Sequence, residues 1–177
     1  NNFYRNDSPN PPATDSGSSS SSSSNNDGGG FSWYAGWSDL EPFFAELVSM
    51  DSRVLIPGIG NDASMVDMYD SGYTNMVAFD YAEQGVECAK RLFGPNRNVD
   101  LAVADARSLP YYETCSFDAV LEKGTLDAVY LSGGTDKERA AHYLSMAVSE
   151  LARLVRPGGI VFSVTAACAP AIDHCFQ

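Results

Sequence analysis

The feature that most restricts the fold is a short apolar run that ends in a glycine turn. Arg53 to Pro57 (RVLIP) leads directly into Gly58-Ile59-Gly60-Asn61-Asp62, and Ala63, Val66, Met68 and Tyr69 then recur at helical spacing. A buried strand, a tight loop and a helix in that order form the first half of a βαβ unit. Bare glycines at the loop also let a ligand approach the backbone, because no Cβ stands in the way.

The rest of the chain repeats the alternation. Met76 to Phe79 reads as strand 2, closed by Asp80, and residues 82 to 93 as a helix stopped by Gly94-Pro95. Val99 to Ala104 reads as strand 3, closed by Asp105, and Phe117 to Leu121 as strand 4, ending at Glu122-Lys123-Gly124. Pro157-Gly158-Gly159 then turns the chain into strand 5, Ile160 to Val164. Two helices carry capping-box spacings, Ser38 with Glu41 and Thr135 with Glu138, and Pro42 falls in the first turn of the earlier one. These elements predict an α/β fold, a mainly parallel sheet of order 3-2-1-4-5, with too few residues after strand 5 for strands 6 and 7.

Composition sets the outer limits. Residues 1–30 hold the run Ser18 to Ser24, Gly28 to Gly30 and several Asn and Pro, which cannot bury enough apolar surface to offset chain entropy. This head reads as a low-complexity segment ahead of one domain, 31–177. The net charge is -12 and no basic run occurs, so a phosphate-tracking nucleic-acid surface is not expected. A basic protein partner suits the acidity better. Cys88, Cys115, Cys168 and Cys175 form no CxxC pair, which speaks against zinc and for reduced thiols. No apolar run reaches membrane-span length and no signal-peptide pattern is present, so a cytoplasmic protein is expected.

Three strand-end positions carry the chemistry. Gly58-x-Gly60-x-x-Ala63 satisfies the loose dinucleotide pattern, and Asp80 lies twenty residues past Gly60, where a carboxylate can accept both ribose hydroxyls or cap the next helix. These two features fit NAD and S-adenosylmethionine equally. Asp105 favours the second ligand: an acid there can accept from an adenine amino group while the Ala106 N–H donates to the ring.

With those residues in view, the segments VLIPGIGNDASMVDMYDSGYTNMVAFDYAEQGVE, VADARSLPYYETCSFDAVLEKGTLDAVY and LVRPGGIVFSVTAA resemble a known group. They are similar to class I methyltransferases of the elongation factor 1-alpha lysine methyltransferase 4 and methyltransferase-like protein 13 family. The similarity covers nearly all of 31–167, and LEKGTLDA, Leu121 to Ala128, is its most specific piece.

The resemblance implies a Rossmann-like fold, S-adenosylmethionine as cofactor and lysine methylation of a translation elongation factor. It also implies cofactor contacts at Trp33, Gly58, Asp80, Tyr81, Asp105, Ala106 and Lys123, and at Tyr4 in a half-motif that the serine tract would separate from the rest. Ile59 and Asp62 depart from the family, which usually has Cys and Ser there; Asp62 adds charge near the methionine end of the ligand. Glu122 stands beside the expected methyl position and could orient an amine or serve as a salt bridge or cap near Lys123, so no catalytic residue is assigned. A nicotinamide-dependent oxidoreductase and a non-catalytic cofactor-binding scaffold remain the alternatives, and the sequence is silent on oligomeric state.

Overall fold

A computed structural model describes residues 32–166. It contains α1 (Trp37–Leu47), β1 (Val54–Pro57), α2 (Ser64–Asp70), β2 (Met76–Asp80) and α3 (Glu83–Phe93), followed by β3 (Asp100–Val103) and β4 (Phe117–Lys123). Then come α4 (Thr125–Leu131), α5 (Lys137–Leu154) and β5 (Val155–Val164). The five strands form one sheet in the order β3-β2-β1-β4-β5, and every pairing is parallel. Order and direction match the expectation from sequence.

The all-apolar β1 follows from its central place. Residues Val54, Leu55, Ile56 and Pro57 are all buried, because helices cover both faces of a parallel sheet. Successive side chains divide between two cores. Val54 and Ile56 join Trp37, Phe44, Met68 and Tyr73 on one face, whereas Leu55 joins Phe79, Val120, Leu151 and Leu154 on the other. Trp37, Phe44 and Tyr73 meet edge to face at centroid separations of 5.3 to 5.7 Å, and the Tyr73 hydroxyl donates to the Val48 carbonyl at 3.0 Å. Such contacts favour aromatic rings beyond their buried area.

The helix starts differ from the capping boxes read in the sequence. In α1 the chain turns two residues earlier: the Gly36 N–H donates to the Asp39 carboxylate at 3.1 Å, and Pro42 is consequently in the second turn. In α5 the cap is Asp136, which accepts from the Arg139 N–H at 3.0 Å, and not Thr135. Aspartate is at least as good a cap as threonine, so adjacent candidates could not be separated by residue type.

Helix α4 was not expected at all. Its seven residues hold Leu126, the one fully buried, and Val129, packed half-buried beside it, a pattern too short to mark a helix by its period. Strand β5 is longer than predicted: Val155 pairs with Phe117 and Ile160 with Ala119, so Pro157-Gly158-Gly159 forms an irregularity within the strand. Glycine is required there, since a Cβ on Gly159 would lie 2.6 Å from the Asp118 carbonyl oxygen.

Candidate functional site

In a sheet of this order, β1 and β4 are neighbours from which the chain runs outward in opposite directions. The crevice beyond their C-terminal ends is where ligands settle on such folds. Both ends carry unusual sequence: the glycine loop follows β1, and β4 runs into Leu121-Glu122-Lys123-Gly124.

The glycine loop is held from two sides. Gly58 and Gly60 have φ of 66° and 50°, the left-handed region that other residues enter at a cost. On the β2 side, Ile59 N–H donates to the Phe79 carbonyl and Gly60 N–H to Asp80 Oδ2, each at 3.0 Å. Asp80 Oδ1 accepts in turn from the Ala82 N–H at 2.9 Å. On the α4 side, Thr125 Oγ1 donates to the Pro57 carbonyl at 2.7 Å, and its side chain fills the space where a Gly58 Cβ would be.

Beyond the loop lies a buried ion pair. Lys123 Nζ is 2.9 Å from Asp62 Oδ2, and the two side chains are only 5% and 7% exposed. The ammonium also donates to Ser64 Oγ at 2.8 Å, Ser32 Oγ at 3.0 Å and the Ala35 carbonyl at 2.7 Å. Asp62 Oδ1 accepts from both the N–H and the hydroxyl of Ser64, at 3.1 and 2.6 Å. Lys123 therefore ties three stretches of chain together: the glycine loop, the start of α2 and the strap 32–35.

The strap has a second anchorage. Tyr34, at φ 62°, donates its hydroxyl to Asp127 Oδ2 at 2.9 Å, and its ring lies over Gly124, where a Cβ would come within 2.6 Å of it. Asp127 Oδ1 accepts from Thr165 at 2.5 Å, so α4 also holds the end of β5. Trp33 and Lys123 line one small cleft with Ile56, Pro57, Gly58, Ile59, Asp62, Met65 and Leu121. The cleft measures about 250 Å³ with its open mouth included, and its interior has room for about one water.

The residues expected to hold a cofactor thus divide into groups. Trp33, Gly58 and Lys123 share the cleft, with Asp80 behind the loop, 3% exposed and bonded to its backbone. Trp33 is 43% exposed at the cleft wall and does not fill core beside Trp37. Tyr81, Asp105 and Ala106 follow the neighbouring ends of β2 and β3; Tyr81 is exposed and Ala106 buried. Tyr4 lies outside the described residues.

Asp105 is not a bare acceptor. Arg107 grips it through Nε at 3.0 and 3.1 Å and Nη2 at 2.6 Å, which holds the carboxyl below its ordinary pKa. Glu122 is buried completely, its oxygens accepting from the Leu126 N–H at 2.9 Å and the Ser163 hydroxyl at 2.5 Å. Burial pushes its pKa up against those hydrogen bonds. It lies outside the cleft lining, and of its sequence readings the cap is the one the geometry supports.

Sequence reasoning missed Ser32, Ser64, Thr125, Asp127 and Arg107 as supporting residues. One signal was available. Gly85 lies inside a helical pattern, which marks a close approach, and a Cβ there would lie 2.6 Å from Asp80 Cγ. A larger groove of about 870 Å³ borders Lys90, Phe93, Arg97 and Leu101, but it is at the opposite end of β3, and Arg97 is already bonded to Asp70 in two places.

Comparison with known proteins identifies this arrangement. A family model for a methyltransferase domain matches residues 55–163, from the first residues of β1 almost to the end of β5. The chain belongs to that methyltransferase-domain family. Among its relatives, EEF1A lysine methyltransferase 4 of Mus musculus is 30% identical over 141 residues, covering 77% of this chain and 54% of the relative. The eEF1A lysine and N-terminal methyltransferase of Xenopus laevis is 28% identical over 144 residues, 81% of this chain and 20% of that one.

The methyltransferase domain thus spans about half the length of the first relative and less of the second. Solved structures agree on the fold. DesVI of Streptomyces venezuelae gives a TM-score of 0.54 at 15% identity, over 76% of this chain and 52% of that one. The [4+2]-cyclase SpnF gives 0.53 at 23%, over 76% and 50%. A cyclase on the same scaffold shows why the fold alone does not fix a reaction.

Proposed function

We propose that the domain binds S-adenosylmethionine and belongs to a protein-lysine N-methyltransferase whose substrate is translation elongation factor 1-alpha. The observation that carries the choice of cofactor is the position of Asp62. In a dinucleotide enzyme the pyrophosphate takes the amide groups at the helix that follows the glycine loop. Here the Asp62 carboxylate, held by Lys123, already accepts from the Ser64 N–H at the start of α2, so a pyrophosphate would find that amide taken. A ligand without phosphate meets no such conflict.

The remaining parts suit an adenosyl ligand. Gly58 and Gly60 hold the turn of the glycine loop, with Thr125 packed against Gly58, and the acids stand at the strand ends, Asp80 closing β2 and Asp105 following β3, where ribose and adenine would be read; these assignments, with Trp33, Tyr81, Ala106 and Lys123, are part of the proposal. Asp80 accepts from two backbone amides and would turn to the ribose hydroxyls as the ligand enters beside the loop. The cleft is below the roughly 300 Å³ at which small-molecule pockets begin, so binding requires Trp33 and the strap to move outward.

The bound cofactor supplies a methyl group on a positively charged sulfur. Transfer to an amine is an in-line displacement in which alignment and exclusion of water lower the barrier. A lysine amine, with an ordinary pKa of about 10.4, must first lose its proton. Glu122 is not the group that takes it, since both oxygens are committed inside the fold.

The substrate reading rests on relatives that carry eEF1A lysine methylation in their names, and a cytoplasmic location without nucleic-acid binding goes with it. No helix among the described residues is long and apolar enough to cross a membrane. Calorimetric titration of residues 1–177 with S-adenosylmethionine and with NAD tests the cofactor: the first is expected to bind and the second not. Binding of NAD alone would overturn the proposal. Labelled methyl transfer to elongation factor 1-alpha by a chain of the relatives' full length tests the substrate, and cofactor binding without incorporation would favour a scaffold.

A further inference from the structure

Arg107 makes more bonds to Asp105 than a surface ion pair needs. Its backbone N–H donates to Oδ1 at 2.9 Å, Nε reaches Oδ1 at 3.0 Å and Oδ2 at 3.1 Å, and Nη2 reaches Oδ2 at 2.6 Å. The guanidinium also lies over the Tyr143 ring of α5, 4.5 Å from its centroid. A ring beneath the guanidinium and a carboxylate at its edge leave it one geometry.

The loop around this pair is fixed by other contacts. Ala106 is buried with Leu55 in one of the two cores, and Glu150 of α5 accepts from the Leu109 N–H at 2.7 Å. Arg153 donates to the Leu109 and Tyr112 carbonyls, each at 3.0 Å. These bonds tie the loop to α5 without Arg107, whose own go to one carboxylate.

What is left on that carboxylate decides what it can read. An ionised carboxyl has about four lone-pair positions and no proton. The Arg107 N–H and Nε fill both positions on Oδ1, and Nη2 fills one on Oδ2. One acceptor position remains, on Oδ2, and only a donor can meet it.

We infer that Arg107, backed by Tyr143, is a positioning residue that holds Asp105 as a fixed, ionised acceptor with a single lone pair for the exocyclic amino group of adenine. The inference rests on the adenosyl reading above and gives neither Arg107 nor Tyr143 a contact with the ligand. The same bonds set the protonation state. The guanidinium holds the Asp105 carboxyl below its ordinary pKa, against partial burial, which pushes it up. With the guanidinium removed, the backbone N–H alone opposes burial, so the carboxyl takes up a proton more readily. A protonated carboxyl donates as well as accepts, and no longer refuses an oxygen in place of the amino group. Of the neighbouring ionisable groups, Asp80 at the end of β2 accepts from its own loop, and His142 of α5 is exposed, its ring 6.3 Å from that of Tyr143.

The test titrates the full chain of 177 residues calorimetrically with S-adenosylhomocysteine and with its counterpart in which a methoxy group replaces the exocyclic amino group. The counterpart keeps the neighbouring ring nitrogen as an acceptor, so hydrogen bonding changes at one position. The unaltered chain is expected to prefer the amino probe about 10- to 100-fold, the range of one charge-assisted hydrogen bond, evenly from about pH 8 to about pH 5. In Arg107→Met the preference should shrink about tenfold towards the acid end, as the amino probe weakens and the methoxy probe tightens. His142→Gln should behave as the unaltered chain does.

Arg107→Lys keeps the charge and loses the fork, and its preference should be about threefold lower, which keeps the inference testable if the methionine variant does not fold. An undiminished preference in Arg107→Lys would overturn the inference. Equal weakening of both probes by Arg107→Met at every pH would do the same, since it would leave Arg107 a structural part only. Failure of both probes to bind the unaltered chain would remove the adenosyl reading, and the inference with it.

Discussion

Replacing Gly58 by alanine attacks the glycine loop at the point where two effects can be separated. The residue has φ 66°, and an added Cβ would lie 2.1 Å from Thr125 Oγ1 and 3.1 Å from both Thr125 Cβ and Cγ2. Holding alanine in the left-handed region costs about 1–2 kcal/mol. The contact forces Thr125 aside, which loses its hydrogen bond to the Pro57 carbonyl, about 1 kcal/mol, and adds overlap of ~1 kcal/mol. Gly58→Ala should therefore destabilise by about 3–4 kcal/mol, a fall in Tm of roughly 10 °C for a domain of this size.

Thr125→Ala alone should cost about 1 kcal/mol, the lost hydrogen bond. Combined with Gly58→Ala it removes Oγ1 and Cγ2 from the crowded space and counts the hydrogen bond only once. The double variant is thus expected at about 2–3 kcal/mol, below the sum of the singles by about 2 kcal/mol. Urea unfolding of the four proteins at one pH measures the cycle. Strict additivity would refute the contact as the source of the effect, and a loss below about 1 kcal/mol for Gly58→Ala would refute the backbone argument as well.

Glu122→Gln should remove a pH dependence. The folded carboxyl titrates above its ordinary value because it is buried, so at pH just above 4.5 the unfolded chain has released a proton that the folded chain keeps. Native stability then declines as pH rises through that window and levels off above the folded pKa. In urea melts the glutamine variant should lack this decline and gain on the unaltered protein towards pH 8; parallel profiles would count against it. Gly124→Ala should loosen the strap, because a Cβ at φ 73° would lie 2.6 Å from the Tyr34 ring. Since Trp37 is buried and Trp33 is not, easier iodide quenching of tryptophan fluorescence would report the release, and unchanged quenching would deny that Gly124 sets the position of Tyr34.

The parts of the fold that could be read from the sequence are those written in short-range patterns. VLIP and MVAF are apolar because β1 and β2 are covered on both faces, and the glycine pair marks the turn between strand and helix. Cap positions slipped by a residue or two, since Gly36 with Asp39 competes with Ser38 and Glu41, and Asp136 with Thr135, on equal local terms. Helix α4 was too short to show a period: only Leu126 and Val129 turn to the core, while Thr125 and Asp127 hold other segments.

That role also explains why LEKGTLDA stood out as a motif without disclosing what it does. Leu121 and Leu126 are core residues, one on each face of the sheet; Glu122 accepts from the first turn of α4; Lys123 binds Asp62 and the strap. Gly124 admits the Tyr34 ring, Thr125 closes on Gly58 and Asp127 bonds Tyr34 and Thr165. Nearly every position has a partner, and most of the partners lie 59 to 93 residues earlier in the chain. Short-range periodicity cannot carry such pairings, whereas a string of residues each fixed by a different distant contact resists substitution at every place. The motif is therefore the clasp between glycine loop and strap, and Lys123 is the one member whose charge reaches the cleft.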